Sequence, residues 1–195
     1  MSVAGVVLAA GMSRRLGSAK QMARLGEQTL LERAVGAAVD AGLRPVYLVV
    51  AAGLGTSFCI SDTAGTNERV VITVENPEAA EGMAASVRAG VRAVGDAPGV
   101  VILACDQPAV TAEHLRLLAE GGDAVVASAY AGGKGVPAYF PARVFGALLA
   151  LQGDTGARVL LREARAVELP GGELDVDTIQ DLELAQRLYE RPAKR

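Results

Sequence analysis

The sequence predicts an α/β fold in which a mostly parallel β-sheet is covered by helices on both faces. Two observations predict it. Apolar, β-branched runs alternate with amphipathic segments along the whole chain, and these runs are apolar without interruption. A strand of that kind has no face for water, so both faces of the sheet must be covered. At 195 residues, the chain fits a single domain.

Four strands and two helices are predicted in the first 110 residues. A capping box formed by Thr29 and Glu32 begins the first helix, and Gly42 ends it. The second helix has an apolar face formed by Met83, Val87, Val91 and Val94. The predicted strands are VAGVVLAA, PVYLVVAA, ERVVITVE and GVVILAC. Residues 53–68 lack periodicity and are expected to form a loop.

The second part of the chain continues the alternation. A helix capped by Thr111 contains His114, which we expect on the helix surface. DAVVASAY and a short VPAYF are predicted strands, RVFGALLAL and ARVLLREA are predicted helices, and RAVELP is a predicted edge strand. Thr178 with Asp181 begins a last helix that runs to about Tyr189.

The composition excludes several functional classes. The formal net charge of −3 argues against a general nucleic-acid-binding surface. One histidine and two cysteines without a CxxC pair argue against a zinc site, and we expect Cys105 to be a buried, inert thiol. The N-terminus lacks a secretory pattern, and no apolar run approaches the ~20 residues of a membrane span. We therefore expect a cytoplasmic protein that binds neither nucleic acid nor membranes.

A glycine-rich, cationic loop follows the first strand. Gly11 and Gly17 allow tight turns, and Arg14, Arg15 and Lys20 suit a polyanion such as a triphosphate. The loop lacks both the Walker pattern G-x-x-x-x-G-K-[ST] and the dinucleotide pattern G-x-G-x-x-G. The alternative is a solvated loop with surface arginines.

Aspartates at other strand ends favour the phosphate interpretation. Ligands of parallel sheets bind beyond the carboxyl ends of the strands, and Asp106 follows the fourth strand directly. Mg²⁺ takes one or two carboxylates together with substrate phosphates. Asp177 is the candidate for the second carboxylate, whereas we expect Asp175 in a solvated loop and Asp181 in the helix cap.

The segment LAAGMSRRLGSAK matches the signature L-A-A-G-x-S-x-R-x-G-x-x-K of the MobA-like nucleotidyltransferases. The chain most resembles the molybdenum cofactor cytidylyltransferase branch of that family. The resemblance continues, in the family's order, through NPEAAEGMAASVRAG, VVILACDQPAVT, GVPAYFP, GDTGARVLL and DVDTIQDLELA. KQMARLGEQTLLERAV is also similar to the cytidylyltransferases of isoprenoid synthesis, which are usually longer and differ where this chain has ACDQP.

The resemblance implies a Rossmann-like three-layer sandwich of the nucleotide-diphospho-sugar transferase type. Residues 1–195 would form a single nucleotidyltransferase domain, with a nucleotide-binding part at about 1–110 and an acceptor-binding part at about 111–190. The implied reaction is the Mg²⁺-dependent transfer of CMP from CTP to a phosphorylated acceptor, molybdopterin, with release of pyrophosphate. A molybdoenzyme is a possible partner, and the protein would be a monomer or a small homo-oligomer.

The resemblance also implies residue roles. Lys20, Arg15 and Asp106 would be catalytic, and Asp106 with Asp177 would hold Mg²⁺. The nucleotide would be bound by Leu8, Ala9, Ala10, Gly11, Ser13, Arg15, Gly17, Lys20, Asn76, Gly82 and Ser86. Arg14 falls on a variable position of the signature and is expected to be solvated.

Fewer residues indicate which nucleotide and which acceptor the protein uses. The guanylyl branch tends to have L-A-G-G where this chain has Leu8-Ala9-Ala10-Gly11, so Ala10 favours CTP over GTP. The family often has G-H-P where this chain has Gly135-Val136-Pro137, so Val136 replaces the histidine. It usually has D-I-D-T-P-E-D where this chain has DVDTIQD. These departures weaken the assignment of molybdopterin. A GTP-dependent transferase, one with a phosphosugar or phospho-alcohol acceptor, and a non-catalytic nucleotide-binding chaperone remain alternatives.

Overall fold

A computed structural model describes residues 2–11, 20–53, 71–153 and 157–189. Its strands are β1 Ala4–Leu8, β2 Arg24–Leu25, β3 Gln28–Thr29, β4 Val46–Ala51, β5 Val71–Asn76, β6 Gly99–Ala104, β7 Val126–Tyr130, β8 Gly133–Pro141 and β9 Arg165–Glu168. Its helices are α1 Leu30–Asp40, α2 Met83–Val94, α3 Ala112–Ala119, α4 Phe145–Leu149, α5 Arg158–Leu161 and α6 Ile179–Tyr189. Most of the predicted loop at 53–68 lies outside the described residues.

Seven strands form one sheet in the order β5-β4-β1-β6-β8-β7-β9, and β2 pairs with β3 in a separate hairpin. Within the seven-stranded sheet, neighbouring strands are parallel, except that β8 runs antiparallel to both β6 and β7. The expected mostly parallel α/β sheet is confirmed, with β9 as the predicted edge strand. Among the described helices, none is both long and apolar enough to cross a membrane.

The predicted short strand VPAYF is in fact the second half of a nine-residue strand, β8. β7 and β8 are joined by Ala131 and Gly132, whose φ angles are +49° and +74°. Two successive positive φ angles define the tight turn whose twist suits an antiparallel hairpin. Because of this turn, β8 folds straight back along β7 instead of crossing over to form another parallel strand.

Local capping signals set the helix boundaries as predicted. Thr29 Oγ1 accepts the Glu32 N–H, while the Glu32 carboxylate accepts the Thr29 N–H, which completes a capping box at α1. Gly42, with φ +84°, follows the end of that helix. Thr111 caps α3, and Thr178 exchanges hydrogen bonds with Asp181 at the start of α6.

Each face of the sheet carries its own apolar core. On one face, α1 and α3 pack residues such as Leu31, Val35 and Leu115 against the strands. On the other face, α2, α4 and α5 do so through residues that include Val91 and Leu148. The layered arrangement follows from the uninterrupted apolar strands, which leave no face of the central sheet for water.

Two side chains lie where the sequence did not predict them. His114 is buried rather than on the helix surface: it is 6% exposed, and its Nε2 lies 2.7 Å from Ser128 Oγ. Because Ser128 Oγ donates to Pro137 O at 2.6 Å, it accepts a hydrogen from the ring nitrogen, and burial lowers the pKa of His114. Met83, expected on the apolar face of α2, is 48% exposed because it begins the helix beside an open cleft.

Close packing of α2 on β1 yields a test of the fold. A Cβ at Gly90 would lie 2.5 Å from Val6 Cγ1, whereas one at Gly36 in α1 would meet no atom within 4 Å. We expect Gly90→Ala to lower the free energy of unfolding by about 1–3 kcal/mol through overpacking. Gly36→Ala should instead raise it by about 0.5–1 kcal/mol, because alanine favours the helix. Urea titration of both variants measures this, and an equal effect of the two would contradict the described packing.

Candidate nucleotide-binding site

A cleft of about 400 Å³ opens at the carboxyl ends of β1 and β6. It is the edge at which parallel sheets bind their ligands. Its walls come from five parts of the chain: the end of β1, the turn at Lys20, the start of α2 with the residues just before it, the end of β6, and Val136 of β8. The lining residues are Leu8, Ala9, Ala10, Gly11, Lys20, Gln21, Ala79, Ala80, Gly82, Met83, Ser86, Ala104, Cys105, Asp106 and Val136.

The root of the predicted phosphate loop is held in place by two hydrogen bonds to Ala9. The Ala9 N–H donates to Val49 O at 2.9 Å, which continues the β1–β4 pairing beyond the strand. The amide of Gln21, which is only 3% exposed, donates to Ala9 O at 3.0 Å. The sequence did not predict the role of Gln21, because a glutamine next to a lysine in a loop is usually exposed to solvent.

Part of the predicted loop lies outside the described residues. Ser13, Arg14, Arg15 and Gly17 belong to the segment 12–19. Of the signature, the structure therefore describes Leu8 to Gly11 and Lys20, and all five of these residues line the cleft.

Lys20 lies between two carboxylates that are distant in sequence. Its Nζ is 2.5 Å from Asp106 Oδ2 and 2.7 Å from Asp177 Oδ1. The side chains of Lys20 and Asp106 are 17% and 14% exposed, while that of Asp177 is 46% exposed. Burial alone would lower the pKa of Lys20, but the two carboxylates outweigh it and raise that pKa, so the amine stays protonated.

Asp177 reaches this position because its segment docks on the end of β6. The Val176 N–H donates to Asp106 O at 2.9 Å, and the Val176 side chain is fully buried. Gln107, which is 6% exposed, donates to Gly172 O at 3.4 Å and ties the same segment down a second time. The docking is what aligns Asp177 with Asp106 across the Lys20 ammonium.

Asp175 belongs to the same acidic edge. Asp175 was expected in a solvated loop, and the residue is indeed exposed to solvent. Partial burial in the edge and repulsion from Asp106 and Asp177 nevertheless raise the pKa of Asp175 to about 6. Opposing contributions come from the charge of Lys20 and a hydrogen bond with Gln107. The negative charges of Asp106 and Asp177 therefore act on Asp175 as well as on each other.

The start of α2 forms the opposite wall. Gly82 precedes the helix with φ +113°, a conformation that favours glycine, and Ser86 lines the cleft one turn further on. Asn76 is 2% exposed and is not among the cleft-lining residues. Its amide donates to Ser86 Oγ at 3.1 Å, so it supports Ser86 from behind.

Cys105 confirms the expectation of a buried thiol. It is 5% exposed at the base of the cleft, and burial, with repulsion from Asp106, raises the pKa of its thiol to about 12. At neutral pH the sulfur is therefore protonated and a poor nucleophile.

The carboxylates fit a magnesium ion bound together with a phosphate ligand. In the described ranges, no three histidine, cysteine or acidic side chains are grouped so as to hold a metal by themselves. Mg²⁺ needs only one or two carboxylates when substrate phosphates complete its shell. Asp106 Oδ1 is buried and has no hydrogen-bond partner in the structure, which leaves an oxygen suited to such a ligand.

Comparison with known proteins agrees with this geometry. The model of the MobA-like NTP transferase domain matches residues 5–168. The chain belongs to this family. It is also 32% identical to the purine catabolism protein PucB of Bacillus subtilis, over 94% of this chain and 95% of PucB.

Two solved structures share the fold. One is Rv0371c of Mycobacterium tuberculosis in complex with manganese, with 30% identity, a TM-score of 0.73 and coverage of 96% of this chain and 100% of the other. The second is the nucleotidyl transferase Mth528 of Methanothermobacter, with 26% identity, a TM-score of 0.77 and coverage of 96% and 97%. The protein is thus a nucleotidyltransferase of the MobA-like type, and its substrate is a nucleoside triphosphate.

The crowded carboxylates predict a pH-dependent stability effect. Because the pKa of Asp175 rises from 3.8 to about 6 on folding, ionisation of this group destabilises the folded protein progressively between those values. We expect Asp175→Asn to raise the melting temperature of the metal-free protein at about pH 7.5 and to lose this gain as the pH falls toward about 4. Thermal melts across this range measure it. Asp96→Asn, which removes an exposed carboxylate outside the cleft, is the matched control, and a gain independent of pH would contradict the expectation.

Proposed function

We propose that the protein is a Mg²⁺-dependent cytidylyltransferase that moves CMP from CTP to a phosphorylated acceptor, molybdopterin, and releases pyrophosphate. One observation carries the proposal: the Lys20 ammonium and the Asp106–Asp177 carboxylate pair meet at the sheet edge beside the first residues of the signature loop. A cation for phosphates and carboxylates for a metal are thereby combined in one cleft.

The reaction requires charge neutralisation more than a protein nucleophile. An oxygen of the acceptor phosphate attacks the α-phosphorus of CTP, and the bond to pyrophosphate breaks in line with it. Lys20 is suited to bind the α-phosphate and to neutralise charge on the departing pyrophosphate. No acid–base pair is needed, and His114 is buried against Ser128 rather than in the cleft.

The residues Asp106 and Asp177 would hold the metal. When bound, Mg²⁺ would supply positive charge that neutralises the phosphates of the substrate. Support comes from the unpartnered Asp106 Oδ1 and from the relative Rv0371c, whose structure is described as a complex with manganese.

The choice of CTP rests on Ala10. This residue is 6% exposed and lines the cleft between Ala9 and Gly11. A methyl group at this position reduces the room above the loop, which favours a pyrimidine over a larger purine. The L-A-A-G sequence typical of the cytidylyl branch supports the same choice.

The choice of acceptor rests on resemblance and on one wall of the cleft. Val136, on the strand that folds back from β7, is the part of the acceptor-binding half that lines the cleft. Val136 stands where the family often has a histidine, so it offers an apolar contact but no hydrogen bond to the acceptor, and the assignment of molybdopterin depends on the rest of the resemblance. PucB is described only as a purine catabolism protein, so molybdopterin must be tested directly.

Calorimetric titration with CTP and with GTP, each with and without Mg²⁺, tests the nucleotide. We expect Mg²⁺-dependent binding that is tighter for CTP, because Ala10 narrows the space for the base. Asp106→Asn should remove the Mg²⁺ dependence, because it replaces a metal-binding carboxylate with an amide. Tighter binding of GTP than of CTP would assign the protein to the guanylyl branch instead. Undiminished Mg²⁺ dependence of nucleotide binding in Asp106→Asn would exclude the proposed metal site.

Pyrophosphate release with CTP and molybdopterin tests the reaction itself. Lys20→Met should lower kcat at least about a hundredfold, because a preorganised charge at the reacting phosphate is lost. Lys134→Met is the matched control: the Lys134 ammonium donates to the carbonyls of Arg162 and Ala164 and does not line the cleft. Its turnover should stay unchanged. The absence of pyrophosphate with either nucleotide would favour a non-catalytic binding protein.

A further inference from the structure

Lys20 contacts the same two carboxylates that the metal would use. Its Nζ lies 2.5 Å from Asp106 Oδ2 and 2.7 Å from Asp177 Oδ1, so one ammonium bridges the pair. A divalent cation bound to Asp106 Oδ1 and to Asp177 would lie beside this ammonium, where like charges repel strongly in a partly buried cleft. Lys20 and the metal therefore weaken each other's binding to the pair.

The backbone of Lys20 is held by hydrogen bonds, whereas its side chain can reach toward the signature loop as well as toward the carboxylates. The turn is anchored by the bond from Ala23 N–H to Lys20 O at 3.0 Å and by the buried Gln21 amide on Ala9 O. The lysine stem passes the signature loop, since a Cβ at Gly11 would lie 3.7 Å from Lys20 Cε. Rotation about the flexible stem alone can thus carry the ammonium between the carboxylates and phosphates bound at the loop.

We propose that Lys20 is an internal cation that holds the Asp106–Asp177 pair in the nucleotide-free protein and competes with the divalent metal for it. Nucleotide phosphates draw the ammonium toward the loop and release the carboxylates, so nucleotide and metal bind cooperatively. The same side chain prevents two ionised carboxylates from facing each other without a counter-charge. This inference rests on the proposed metal site and adds that nucleotide binding promotes metal binding there.

The test is the affinity of the nucleotide-free protein for Mn²⁺, which is measured from the electron paramagnetic resonance signal of the Mn²⁺ that stays free in solution. We expect Lys20→Met to bind Mn²⁺ at least about tenfold more tightly than the wild type, because a unit positive charge is removed from contact with both carboxylates. Lys134→Met makes the same change in net charge on a lysine that bonds only backbone carbonyls in the described contacts, and should leave the affinity unchanged.

The possible outcomes separate this inference from the proposed function. Equal or weaker Mn²⁺ affinity in Lys20→Met overturns the competition and leaves the metal site standing. If neither the wild type nor Lys20→Met binds Mn²⁺ without nucleotide, the competition is overturned. If neither binds Mn²⁺ with CTP present either, the metal site is removed as well, and with it the proposed mechanism. An equal gain in Lys134→Met would assign the effect to net charge and overturn the specific role of Lys20.

A second measurement uses the wild-type chain, so it does not depend on the folding of a variant. The chain contains three lysines, Lys20, Lys134 and Lys194, whose peptides can be followed separately after reductive methylation. Saturating Mg²⁺ should increase methylation of Lys20, because the amine is released from both carboxylates, and should not change that of Lys134. Unchanged or slower methylation of Lys20 would overturn the proposal.

Discussion

The candidate site depends on one backbone hydrogen bond, from the Val176 N–H to Asp106 O. It attaches a segment from the end of the chain to the carboxyl end of β6, and the buried Val176 side chain holds that attachment against water. Asp106 and Asp177 are carried on the two sides of this contact. Without this docking, Asp177 would not be held beside Asp106 and Lys20.

The antiparallel strand β8 is a second feature that shapes the cleft. The reversed strand β8 lies between β6 and β7, and the tight turn at Ala131 and Gly132 returns the chain to the cleft. Val136 thereby becomes a wall of the cavity that β1 and β6 begin. Residues from both halves of the chain therefore meet at one edge of the sheet.

The parts of the structure that the sequence predicts are those with local causes. Uninterrupted apolar strands require two covered faces, and capping by Thr29 and Thr178 acts within one helical turn, so these features follow from neighbouring residues. The burial of His114 and the role of Gln21 depend on which distant strand each side chain meets. The resemblance named Lys20 and Asp177 as site residues, but only the folded chain brings them into contact across 157 positions.

The acidic edge also shows why this site suits a cation ligand. Asp175, Asp106 and Asp177 are close enough that burial and mutual repulsion raise the pKa of Asp175, and this arrangement destabilises the folded protein at neutral pH. Lys20 offsets part of that repulsion, and one oxygen of Asp106 is buried without a hydrogen-bond partner among the described residues. A divalent cation bound as proposed would relieve both unfavourable features, so the local electrostatics are consistent with the proposed metal site.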